Sequence, residues 1–127
     1  MVTLTKKDYC DYETCVALER LGFNDSTDLR YNHSQILGDF LGGVKAPTLY
    51  EAQKWLREEK KIDVLIEIEC KDVHLSSKHY SVFISYMGRF MRRFQYLSNE
   101  FDSYEEALSE GIKEAVKILK ENETIHE

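Results

Sequence analysis

In the stretch KDVHLSSKH, two histidines, His74 and His79, stand close to Ser76 and Ser77, the residue types that a nucleophile and its general base require. Such a pair acts only when a third group orients the imidazole and backbone donors await the oxyanion. No orienting group and no Gly-rich turn accompany these four residues, so the stretch reads as a solvated loop and no catalytic residue is assigned. The cysteines Cys10, Cys15 and Cys70 have no metal-ligand spacing. Cys70 continues the inward face of an apolar run and is expected in the core. Neither a metal nor another cofactor is expected.

The stretch GRFMRRFQY is the richer candidate. Arg89, Arg92 and Arg93 could reach phosphates while Phe90, Phe94 and Tyr96 stack on bases, the combination that holds single-stranded nucleic acid. It sits in a run from Val73 to Asn99 whose charged residues are Lys78 and these three arginines, with no acid. The same alternation also describes an edge strand whose arginine heads keep it soluble and pair with acids of the following helix. The net charge of −6 favours that second reading, because nucleic-acid binding ordinarily needs a wider basic footprint.

The elements that must position these residues follow from periodicity and caps. Pro47 biases Ala46 toward extended backbone, and Thr48 with Glu51 three residues later forms a capping box. Leu49, Ala52, Trp55 and Leu56 then recur at helical spacing. After Lys61 the period drops to two: Ile62, Val64, Ile66, Ile68 and Cys70 share one side, and Asp63, Leu65, Glu67 and Glu69 the other. HYSVFISYM repeats the alternation, with Tyr80, Val82, Ile84 and Tyr86 opposite Ser81, Phe83, Ser85 and Met87. The intervening KDVHLSSK predicts a hairpin loop. A third strand is expected over RFMRRFQYLS, residues 89–98, its register unclear because both faces mix Arg with Phe or Met. Asp102 or Ser103 caps a last helix whose stripe runs from Tyr104 through Gly111 to Leu119, and the tail 121–127 is expected to fray.

Residues 1–45 are less regular. Asp11 to Leu21 predict a helix stopped by Gly22, with Phe23 folding back on Leu18 in a Schellman motif. Residues 24–45 are turn-rich, with a short helix expected over Gln35 to Leu41. The fold class is therefore α+β: an N-terminal helix and long loop, then α-β-β-β-α, a three-stranded antiparallel meander with the helices on one face. A length of 127 residues suits a single domain, with its core in residues 46–120.

That layout creates a third candidate. If the helices cover Ile62, Val64, Val82 and Ile84, then Leu65, Phe83 and Met87 gather on the reverse side of the sheet, flanked by Glu67, Ser81 and Ser85. An apolar patch of that kind marks a protein partner or a dimer face. Its alternative is that the N-terminal helix covers it within the chain. A hydrophobic fraction of 43% and an aromatic fraction of 12% exclude a disordered chain. No apolar run reaches the ~20 residues needed to cross a bilayer. The odd cysteine count and the absence of an apolar leader point to a cytoplasmic location.

With LERLGF, APT, AQKWLREE and FDSYEEAL in that order, the chain resembles a family of short proteins encoded in phages and mobile elements of gut anaerobes. The resemblance rests on helix caps and core positions and carries over no catalytic residues. The α-β-β-β-α order also resembles double-stranded-RNA-binding domains, which place a lysine cluster where this chain has Glu105, Glu106 and Glu110, carboxylates that repel phosphate. A strand followed by YEEALSEGIKEA is similar to HicB-type antitoxins, partners of a small RNA-cleaving toxin, though their Pro-Gly turn is missing here. The expectation that results is a non-enzymatic accessory protein of mobile-element origin that associates with a protein partner or with itself. Nucleic-acid binding is the alternative, and no membrane partner is expected.

Overall fold

Asp11 opens the first helix, α1 (Tyr12–Arg20), by accepting the Thr14 N–H at 2.8 Å. Gly22, at φ 107°, closes it: the Phe23 N–H reaches back to the Leu18 carbonyl and the Gly22 N–H to that of Glu19, the Schellman pattern. The computed structural model describes residues 4–70, 78–88 and 91–125.

Beyond α1 the turn-rich segment folds into a small antiparallel sheet of β1 (Leu29–Tyr31), β2 (Leu37–Gly38) and β3 (Val44–Ala46), in the order β2-β1-β3. The short helix expected over Gln35 to Leu41 is therefore absent. Gln35 takes the left-handed region at φ 63°, and the Asn32 side chain accepts the Ser34 and Ile36 amides, so a turn forms and leads into β2. Tyr31 pins this sheet to the chain's start, its buried hydroxyl donating to the Cys10 carbonyl at 2.8 Å. β3 then delivers Pro47 and Thr48, and α2 (Leu49–Glu59) starts with both halves of the capping box: Thr48 N–H to Glu51 Oε1 at 2.8 Å and Glu51 N–H to Thr48 Oγ1 at 3.1 Å.

The main sheet is the meander β4 (Ile62–Cys70), β5 (Lys78–Met87) and β6 (Arg92–Phe101), all antiparallel with β5 in the centre. β6 begins and ends three residues later than the periodicity suggests, because Gly88 and Met91 close the turn and Phe101 is drawn into the core. Ser103 caps α3 (Tyr104–Ile125), accepting the Glu106 N–H at 3.1 Å. The helix continues through Ile125 where fraying was expected, since Lys120, Glu121 and Glu123 are good helix formers and no Gly or Pro interrupts them.

Helices α2 and α3 pack on one side of the main sheet. Leu49, Leu56, Ile62, Val64, Val82, Ile84, Leu108 and Ile112 are fully buried there. Gly111 marks the closest approach of α3: a Cβ at that position would stand 2.5 Å from Val64 Cγ1 and 2.8 Å from Val82 Cγ1. Helix α1 lies against β3 and α3, so it does not cover the reverse side of the sheet.

Candidate functional site

The register assigns the described side chains at the centre of the meander to a face. Leu65 pairs with Phe83 and Phe83 with Tyr96; Asp63 pairs with Ser85 and Ser85 with Phe94; Met87 pairs with Arg92. Because directly opposed residues share a face, these residues all stand on the side away from α2 and α3. Leu65 is 48%, Met87 58%, Phe94 60% and Tyr96 48% exposed. Phe83 is half-buried in their midst, its ring 5.4 Å from that of Phe94.

Two sequence candidates thus merge into one surface. The expected protein interface, Leu65, Phe83 and Met87, and three residues of the expected nucleic-acid contact, Arg92, Phe94 and Tyr96, lie side by side across the strands. Of the remaining members of the second set, Arg93 is described and separates from that surface. Arg93 pairs with Tyr86 and belongs to the helix side of the sheet, beside Gly88. Adjacent residues of a strand point to opposite faces, so Arg92 and Arg93 cannot grip one strand of nucleic acid from the same side. Arg89 and Phe90 lie outside the described residues.

Arg92 is engaged within the face: its Nη1 donates to Ser85 Oγ and stands 3.9 Å from Asp63 Oδ2. This covers Ser85, which is buried although it sits on the open side. Asp63 takes its significance from the β6 register, which alternation alone leaves ambiguous. Along β4 the face turns acidic, with Asp63 and Glu67, while the described β6 side chains there, Arg92, Phe94 and Tyr96, include no carboxylate. The outer edge of β4 is partly closed by α2, whose Gln53 amide donates to the Val64 carbonyl at 2.7 Å.

His74, Ser76 and Ser77 lie outside the described residues, and His79 stands on β5 opposite Glu69. Cys10 and Cys15 are buried free thiols, Cys15 Sγ lying 3.6 Å from the Cys10 carbonyl oxygen. The contact with Cys15, and then burial, hold the Cys10 thiol well above its ordinary range, the opposite of a reactive thiolate. The side chain of Cys70, at the end of β4, is outside the described set. Among the described residues no cluster of His, Cys, Asp and Glu could hold a metal ion, and no helix is long and apolar enough to cross a membrane. The chain matches no family model, no curated protein and no solved structure.

Proposed function

We propose that the protein is a non-enzymatic association module that uses the open face of β4-β5-β6 to contact another polypeptide, as an accessory protein of a mobile element. One observation carries the reading. Leu65, Phe83, Met87, Phe94 and Tyr96 gather as apolar and aromatic side chains on one side of a sheet whose other side carries α2 and α3. Exposed apolar residues scattered singly need no explanation, whereas a contiguous patch with a charged rim does. Aromatic residues, Met and Arg are the types enriched at interface centres.

Affinity capture with the wild type and with Phe94→Glu as parallel baits tests this. Phe94 is largely exposed on an edge strand, so its replacement should leave the fold intact, which circular dichroism checks. Polypeptides held by the wild type and lost by the variant support the reading; identical sets overturn it.

A second reading keeps the nucleic-acid function on this same face, Phe94 and Tyr96 acting as stacking platforms beside Arg92. The acidic β4 rim and the commitment of Arg92 to Ser85 and Asp63 weigh against it. Binding of single-stranded RNA or DNA that weakens steeply with salt and is lost in Arg92→Ala, but kept in Arg93→Ala, would favour this second reading.

A further inference from the structure

We infer that the partner on the open face is a second copy of this chain, seated face to face about a two-fold axis that runs along β5. The inference rests on the association reading above and names its occupant. Charge placement selects the partner and the axis together. Two sheets packed face to face keep their strands nearly aligned and ~10 Å apart, so a two-fold axis in the plane between them can run either along the strands or across them.

An axis across the strands lays β4 over β4. With Phe83 at the centre, the Asp63 row of one copy then meets the Glu67 row of the other, since these two residues lie one row either side of Leu65. Carboxylates would face carboxylates twice in each dimer. An axis along β5 instead lays β4 of each copy over β6 of the other. Phe83 then meets its own symmetry mate, Leu65 meets Tyr96, and Asp63 arrives over Phe94, one row along β6 from Arg92. Within one chain Arg92 must reach across the whole sheet to come within 3.9 Å of Asp63. In the dimer, Asp63 of the other copy comes to the arginine's own strand. A guanidinium has five donors, so Arg92 can hold Ser85 and accept that second carboxylate as well. The surface is self-complementary, as a two-fold contact requires: carboxylates on β4, Arg92 with Phe94 and Tyr96 on β6, and Phe83 between them.

Charge exchange at these two positions tests the geometry. The wild type is expected to run in light scattering at twice the 14.9 kDa chain mass at concentrations of about 10 to 100 µM, the range where modest interfaces associate. Asp63→Arg and Arg92→Asp each set like charges together at both symmetric contacts and should weaken dimerisation at least about tenfold. An equal mixture of those two variants restores opposite charges at both contacts. It should form a heterodimer, one copy of each, identified by native mass spectrometry. Both sites are partly exposed, and circular dichroism confirms that each variant folds.

A wild type that stays monomeric overturns the inference, as does a dimer indifferent to both variants or a mixture that fails to associate. The capture experiment is independent of chain mass. A monomeric wild type whose capture is lost in Phe94→Glu overturns the homodimer while the association reading stands. A monomeric wild type with unchanged capture removes both.

Discussion

Trp55 shows at the residue scale how a lone aromatic is used. Its ring meets the edge of Phe23 at a centroid distance of 5.4 Å, and Lys60 lies 5.7 Å above it, so α2 is joined to the residue that ends α1. Replacing a buried Trp by Ala removes ~3 to 5 kcal/mol; urea unfolding of Trp55→Ala should show a loss of that order, and an unchanged midpoint would remove Trp55 from the core. Asp11 works by hydrogen bonding. Burial raises its carboxyl, but the Thr14 hydroxyl and amide and Lys113, whose Nζ is 3.2 Å away, outweigh that and hold it below the ordinary value. A depressed carboxylate stabilises the fold above its unfolded pKa of about 3.9 and loses that contribution as pH falls through the folded value. Asp11→Ala should therefore cost about 1 kcal/mol at neutral pH, and the gap between variant and wild type should narrow in acid. Tyr31 behaves in the opposite sense. Burial first, and the neighbouring Cys15 and Asp11 next, push its phenol up to about 12. Stability is full below the unfolded value of about 10 and declines as pH rises through the folded one, and absorbance titration should find Tyr31 ionising with the alkaline melt.

At the scale of elements, α3 meets the sheet through a missing side chain. Gly in a helix interior costs about 1 kcal/mol relative to Ala, yet at Gly111 a methyl group would collide with Val64 and Val82. Gly111→Ala should thus lower the melting temperature by an overpacking penalty of about 1 to 3 kcal/mol, where propensity alone would raise it. Much of this layer was legible in advance: Thr48 and Glu51, Asp11, Gly22 and the period-two alternation of β4 and β5 are local signals that the tertiary structure keeps. The small sheet was not. Strands of two and three residues are too short to show a period, and they exist because Tyr31 reaches the Cys10 carbonyl across the fold. The β6 register was hidden for a different reason. Arg92 and Phe94 face solvent on one side while Arg93 and Gln95 face the other, where Gln95 donates to Glu114 at 2.6 Å, so polarity does not separate the two faces. The open face was therefore read as two half-sites.

At the scale of the whole molecule, two helices cover one side of the main sheet, no helix or second sheet among the described residues packs on the other, and the small sheet and α1 lie elsewhere. Single exposed apolar residues such as Ile36 and Leu41, outside that sheet, provide internal controls for solvent access. On the dimer proposed above, the face opposite the helices is where this chain meets a second copy of itself. Hydroxyl-radical footprinting of the wild type across a concentration series tests it most directly. Oxidation of Leu65, Met87 and Phe94 should fall as the protein is concentrated, while Ile36 and Leu41 keep their rates. Rates that stay constant for all five residues, or that fall only at Ile36 and Leu41, would contradict it.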